Sequence, residues 1–369
     1  MSEGDYTVWC LLGRKAGDNT QVLALANELG LGFEEKRILA RPWELLTHLG
    51  LRVTLAGIDR GASSDLAPPW PDLVISAGRR NEPVARWIQR QSGGRTRLVH
   101  MGRPWAPLAA WDLIVTTPQY FLPEAPNILH NTLPLHRVTA AQAEEAAGHW
   151  QQRLQELPRP WIAVLVGGDS GRYVFTPDKG ARLGSLANAL AESSGGSLLL
   201  TDSPRTPAAA ADALETQLDV PAFSYRFSRG GDNPYQGLLA LADAFVVTGE
   251  SMSMLGEAAE TGRPLYIFDP GDGDTPWWHL PHAWRYKPLS HRFAMRFGPR
   301  RMRRDIGRIQ WALVDSGRAE WLEEASIDAA AQRLQLQRDG GDAAAAQTGS
   351  GAAELRRSAE AVRRLLKSR

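Results

Sequence analysis

The feature that most constrains this chain is a recurring alternation: short apolar runs, each followed by a polar, glycine-bearing loop and then a helical pattern. Val8–Leu12 leads to a helix from about Thr20 to Leu29 and then to Phe33–Arg37. Leu73–Ser76 leads to a helix from about Glu82 to Arg90, with Arg97–Met101 and Leu113–Thr116 beyond it. Strands that are apolar throughout are buried on both faces, and such strands build parallel sheets covered by helices. A polar helical stretch over 139–157 is stopped by Pro158-Arg159-Pro160, because proline lacks an amide donor and holds the residue before it extended. The scheme then repeats, with strands near Ile162–Val166, Ser197–Thr201, Ala222–Arg226, Ala244–Val247 and Pro264–Phe268. The fold class expected is α/β, with two Rossmann-like doubly wound domains. A length of 369 residues suits two cores better than one. The expected boundaries are 1–157, then 158–336 with a helical region near Arg300–Val314, a Gly/Ala/Asp/Gln-rich linker over 337–353, and a basic amphipathic helix over 354–369.

Composition removes several classes of function. Lys and Arg total 42 against 41 Asp and Glu, a net charge of +1, so a general polyanion binder is excluded and no nucleic-acid partner is expected. The single cysteine, Cys10, lies in the apolar run Thr7–Leu12 and permits neither an internal disulfide nor a multi-cysteine zinc site. The eight histidines form no zinc-binding pair, and His279 and His282 beside Asp269, Asp272 and Asp274 read as turn chemistry. No metal or cofactor is expected. No run reaches the roughly 18 apolar residues of a spanning helix, so the expected location is the cytoplasm.

In doubly wound sheets, ligands bind beyond the carboxyl ends of the strands. The run Ala244–Val247 feeds into Thr248-Gly249-Glu250-Ser251-Met252-Ser253, which reads as strand, tight turn and helix. The amides at such a helix start favour anions, Ser251 and Ser253 can cap or donate to phosphate, and Glu257 lies one turn beyond Ser253. An ordinary capped connection fits the same residues. Gly167-Gly168-Asp169-Ser170 and Ser203-Pro204-Arg205-Thr206 follow two other strands of this half, and the convergence of three such loops points to a nucleoside-diphosphate ligand. In the first half, Gly13-Arg14-Lys15-Ala16-Gly17-Asp18-Asn19-Thr20-Gln21 lacks both the Walker ending and the three-glycine dinucleotide spacing, so neither an ATPase nor an NAD dehydrogenase is favoured. Arg79 and Arg80 open a helix where they can clamp an anion or stand solvated.

On Gly13–Gln21, Ser76-Ala77-Gly78-Arg79-Arg80, Pro118-Gln119-Tyr120, His130-Asn131-Thr132-Leu133-Pro134, Gly167–Ser170 and Thr248–Ser251, the chain resembles bacterial members of the mitochondrial-fission "elongated mitochondria" family. The resemblance covers roughly residues 7–270. More distantly it is similar to GT-B glycosyltransferases and sugar-nucleotide epimerases. That likeness implies two domains facing a cleft, with a nucleotide sugar held by the C-terminal one. It also implies Gly249, Ser251 and Ser253 at the diphosphate and Glu257 at the ribose hydroxyls. Glu250 departs from the pattern, since a carboxylate in a phosphate-binding turn must point away, pair with a cation such as Arg205, or mark another ligand.

The leading expectation is a metal-independent glycosyltransferase binding a nucleoside-diphosphate sugar through Gly168, Ser170, Ser203, Arg205, Thr206, Gly249, Ser251, Ser253 and Glu257. Asp18, Glu82 and His100 are its candidate catalytic groups, Asp18 first as base toward an acceptor hydroxyl. A sugar-nucleotide epimerase using the same three residues is an alternative. So is a non-catalytic scaffold touching anionic membrane through Arg300–Arg308.

Overall fold

The computed structural model describes residues 6–48, 53–136, 140–170, 173–271, 293, 295–299, 303–340 and 350–368. The chain forms two compact units, one of Met1–Arg137, Gly298–Asp305 and Gly351–Arg369, the other of Val138–Phe297 and Ile306–Ser350.

In the first unit the elements run β1 (Val8–Leu12), α1 (Ala16–Leu29), β2 (Phe33–Arg37), β3 (Leu73–Ala77), α2 (Glu82–Gln91), β4 (Arg97–Met101), β5 (Leu113–Thr116) and β6 (Ile128–His130). The strands lie in the order β2-β1-β3-β4-β5-β6, every neighbouring pair parallel. β1, β3 and β5 are buried at every position, as strands apolar on both faces must be. β2 takes an edge, where its sequence Phe-Glu-Glu-Lys-Arg blunts the open strand with charge.

The second unit opens with α3 (Ala140–Leu154) and continues with β7 (Trp161–Leu165), α4 (Pro177–Ser194), β8 (Ser197–Thr201), α5 (Ala208–Glu215), β9 (Ala222–Tyr225), α6 (Tyr235–Leu241), β10 (Ala244–Thr248), α7 (Met252–Glu260), β11 (Leu265–Phe268), α8 (Gly307–Asp315), β12 (Glu320–Trp321) and α9 (Ile327–Gly340). Its sheet is also wholly parallel, in the order β12-β11-β10-β7-β8-β9.

Two boundaries differ from the sequence reading. The chain divides at Arg137–Val138 rather than at residue 157, because α3 buries Trp150 against Phe223, ring centroids 5.6 Å apart, and over the bare Cα of Gly237 in the second unit. The helix expected near Arg300–Val314 begins only at Gly307, and Gly298–Asp305 belongs to the first unit. The amphipathic helix expected over 354–369 is present as α10 (Ser350–Lys367), which lays Leu355, Ala359, Val362 and Leu366 into the core that holds Val22, Leu25 and Leu29 of α1. The spacing of those four residues makes one apolar stripe. Polar bonds fix its register, Glu354 accepting the Thr132 amide at 2.7 Å and Asn131 Nδ2 donating to Ser358 Oγ at 3.0 Å.

Candidate functional site

A crevice opens in such sheets where connections from adjacent strands leave toward opposite faces. Counted from β7, the second sheet has the order 3-2-1-4-5-6, which puts that point between β7 and β10. The loops after these two strands and after β8 meet there. Thr248, the last residue of β10, accepts the Gly167 amide on its Oγ1 at 2.8 Å. Gly168 has φ of 94°, a left-handed conformation that glycine adopts without strain, and a β-carbon there would stand 2.6 Å from the Thr206 nitrogen. The Asp169 amide donates to the Arg205 carbonyl at 3.0 Å, and Arg205 Nη1 returns a bond to the Asp169 carbonyl at 2.9 Å. Arg205 Nη2 reaches Ser251 Oγ at 3.5 Å.

The expected binding residues therefore divide by role. Gly168, Arg205 and Ser251 converge around Gly167. Ser203 and Thr206 brace the loop instead of presenting hydroxyls: Ser203 Oγ donates to the Gly167 carbonyl, and Thr206 Oγ1 donates to the Val166 carbonyl at 3.2 Å. Gly249 packs inward, its carbonyl accepting from Gln310 Nε2 at 2.6 Å, and a side chain there would strike the same amide. Ser170 exchanges main-chain hydrogen bonds with Tyr173 at 3.0 and 2.9 Å, while Ser253 is exposed on α7. Ser251 stands at the N-cap of α7 but makes no side-chain cap, so its hydroxyl does not cover the amides of the first turn.

Glu250 turns inward and is 2% exposed. Burial pushes its carboxyl up to about 7, against the attraction of Arg205 and hydrogen bonds that include one from Thr248. The departure noted in the sequence is thereby explained: the carboxyl points inward beneath the loop near Arg205, and a sizeable fraction of it is protonated at neutral pH. Glu257, half-buried, accepts a hydrogen bond from the phenol of Tyr235 on α6. Burial and the charge of Glu257 push that phenol well above its ordinary value. Tyr235 was not singled out in the sequence, where only its place at the start of a short helix after Pro234 marks it.

In the first unit the order 2-1-3-4-5-6 puts the switch between β1 and β3. Asn19 brackets Gly13 there, accepting its amide and donating to its carbonyl, both at 2.9 Å. Asp18 is partly exposed, and its Oδ2 lies where a β-carbon on Gly78 would stand only 2.7 Å away. Gly78 has φ of 71° and admits the carboxylate because it has no side chain. Near Asp18 lies Tyr120, whose ring faces the Arg304 guanidinium at 5.8 Å, and Arg304 Nε donates to Gln119 Oε1 at 2.7 Å.

The structure does not give Glu82 or His100 the access that a catalytic group needs. Glu82 is 1% exposed and accepts the amides of Trp105 and Ala106 at 2.8 Å each, so it anchors the loop after β4. His100 is 0% exposed inside the sheet, with Ser76 Oγ 3.1 Å from its Nδ1 and the Trp111 ring tilted against it, centroids 4.5 Å apart. Burial lowers its imidazole to about 3. Arg79 and Arg80 do not form a free clamp, since both reach Oε1 of the buried Glu44 at 3.1 Å. The described arginines of the stretch Arg300–Arg308 do not share one helix: Arg303 Nε donates to the Gly298 carbonyl at 3.3 Å, Arg304 is bound to Gln119, and Arg308 sits exposed on α8. Arg300, Arg301, Asp272, Asp274, His279 and His282 lie outside the described residues. Among the described residues no group of three His, Cys, Asp or Glu side chains is placed to hold a metal ion, and no helix is long and apolar enough to cross a membrane.

Comparison with solved structures shows the same architecture. The glycotransferase of kitacinnamycin superposes with a TM-score of 0.54 at 13% identity, covering 98% of this chain and 99% of that one. The UDP-GlcNAc 2-epimerase from Neisseria meningitidis, solved bound to UDP-GlcNAc, gives 0.53 at 10% identity over 98% and 100%. The fold is thus GT-B-like. Among curated proteins, an uncharacterized protein of Rickettsia prowazekii (strain Madrid E) is 25% identical over 304 residues, 71% of this chain and 83% of that protein. Mitochondrial fission protein ELM1 of Arabidopsis thaliana is 28% identical over 271 residues, 66% of this chain and 63% of the plant protein, so the match spans less than two thirds of the plant relative's length. The family model for Mitochondrial fission ELM1 matches residues 16–293, and the chain belongs to that family.

Proposed function

We propose that the second unit binds a nucleoside-diphosphate sugar and that the chain is a glycosyltransferase. One observation carries this reading: Arg205, Gly167 and Ser251 meet at the switch point of the sheet, beside the open amino end of α7. When the bond from the sugar to the diphosphate breaks, negative charge grows on the departing phosphate. A guanidinium and a helix start are preorganised donors for that charge, and they supply here what a divalent cation supplies elsewhere. Glu250 does not oppose the diphosphate in its protonated form, and Glu257 has carboxylate oxygens suited to a pair of ribose hydroxyls. In the first unit, Asp18 meets the requirement for a base: a partly exposed carboxylate at the switch point of its own sheet.

Isothermal titration of the full chain with UDP, GDP, CDP and ADP and with their sugars tests the reading. Arg205→Ala should weaken the best ligand about 10- to 100-fold, the range of a charged hydrogen bond. No binding of any nucleotide by the unaltered chain would end the proposal. Product analysis then separates transfer, which yields a new glycoside, from epimerisation, which yields an altered sugar still on its nucleotide.

A further inference from the structure

The carboxyl of Glu250 lies under the same glycine that gathers the donors of the second unit. A β-carbon on Gly167 would meet Glu250 Oε1, Ser251 Cβ and Arg205 Nη2 before any other atoms, so these three side chains close around one point. Thr248 Oγ1 donates to Oε1 at 3.1 Å, whereas Oε2 is buried and accepts no hydrogen bond among the described residues. Arg205 is the cation whose field acts on this carboxyl. It does not fork onto it: Nη1 is turned to the Asp169 carbonyl at 2.9 Å and Nη2 to Ser251 Oγ at 3.5 Å. The charged groups on the adjoining loops have other partners, Asp169 accepting the Phe175 amide and Asp269 the Gly271 amide, both at 2.8 Å. From α8 the turn is faced by the uncharged Gln310.

A carboxylate taken out of water needs a compensating charge, and one guanidinium cannot compensate two anions as well as it compensates one. With no anion bound, Arg205 offsets Glu250. An anion held by Arg205 and Ser251 draws on the same positive charge and adds its own repulsion, which a buried group feels through a low dielectric. Both effects favour the neutral carboxyl. Burial already pushes Glu250 up to about 7, so a modest further repulsion is enough to add a proton.

Resting on the nucleotide-sugar reading, we infer that Glu250 is a positioning residue that takes a proton from solvent as the ligand binds and so releases Arg205 to the diphosphate. Binding and protonation are then one linked event, and affinity falls as pH rises even though the ligand gains no charge. The test is calorimetric titration of the full chain with UDP-glucose, UDP-GlcNAc, GDP-mannose and ADP-glucose, whose phosphodiesters stay ionised throughout the neutral range. At about pH 7.5, heats in Hepes and in Tris should differ by the uptake of about 0.7 proton per ligand bound, the fraction then ionised of a carboxyl titrating at about 7. Affinity should fall about tenfold from about pH 6.5 to about pH 8. Glu250→Gln should lose both the uptake and the pH dependence. Infrared difference spectra of the unaltered chain, free against bound, should gain the carbonyl stretch of a protonated carboxyl, a readout that needs no variant to fold. Binding without proton uptake, or uptake that persists in Glu250→Gln, would overturn the role of Glu250 and leave the nucleotide reading standing. No binding of any of the four would end both.

Discussion

Arg205 and Ser251 face each other beside Gly167, the guanidinium Nη2 3.5 Å from the hydroxyl oxygen. A β-carbon on Gly167 would stand 2.7 Å from Ser251 Cβ and 3.1 Å from Arg205 Nη2, closer than side chains pack. Gly167→Ala should therefore destabilise the chain by about 1–3 kcal/mol, the usual range for overpacking. It should also push the Arg205 and β10 loops apart. Urea denaturation reads the first effect and nucleotide titration the second; a stable variant with undiminished nucleotide affinity would show that the contact of the loops does not matter.

Two buried groups should tilt the pH dependence of stability in opposite directions. Glu250, raised from 4.5 to about 7, holds its proton more tightly in the folded chain, so its support for folding is full below pH 4.5 and is lost as pH rises to 7. His100, lowered from 6.5 to about 3, binds its proton more weakly when folded, so its contribution is full above pH 6.5 and is lost as pH falls toward 3. Between 4.5 and 6.5 the slopes oppose each other. Glu250→Gln should unmask a stability that climbs with pH to about 6.5, and His100→Phe one that declines from about 4.5 to 7, each spanning on the order of a few kcal/mol. Denaturation midpoints measured across this range check both; unchanged slopes in the variants would refute the burial argument.

The phenol of Tyr235 holds Glu257 on the face of α7. Glu257→Ala should weaken a nucleotide sugar about tenfold while leaving the melting temperature within a few degrees, because the side chain is only half-buried. Tyr235→Phe should give a smaller loss by freeing the carboxylate to turn. Equal affinity in Glu257→Ala would remove that residue from the site.

Leu355→Ala and Leu366→Ala remove buried side chains of α10 from the first core, and each should cost about 2–5 kcal/mol. Hydrogen exchange should show the loss of protection in β1, β3 and β4, with β7 and β10 still protected. Uniform loss in both sheets would mean that the units unfold together.

The sheets were legible because their central strands are apolar at every position, as in Val8–Leu12 and Ala244–Val247, a pattern that only a doubly covered parallel sheet satisfies. Short edge strands were not: Ile128–His130 and Glu320–Trp321 are too brief to show a period. At the candidate site, the loops that follow strands could be found from glycine and serine alone, but the direction of each side chain could not. Ser203 and Thr206 bond within their own loop, and Glu82 carries a charge that in sequence looks catalytic yet accepts main-chain amides of Trp105 and Ala106. Such pairings join residues far apart in the chain, and no local pattern announces them. The terminal helix was legible as an amphipathic helix, but not what its apolar face meets: the stripe Leu355, Ala359, Val362 and Leu366 fits a core whose other half lies some three hundred residues earlier.

That stripe has a consequence for how the protein is made. Synthesis delivers β1 to β6 first, yet the hydrophobic layer that α1 shares with β1 and β3 lacks the rest of its covering until Leu355–Leu366 has left the ribosome. The second unit, whose strands and helices all precede α10, can be complete while the earlier one still waits with apolar surface uncovered. The first core can therefore close only after the whole of the second unit has been synthesised.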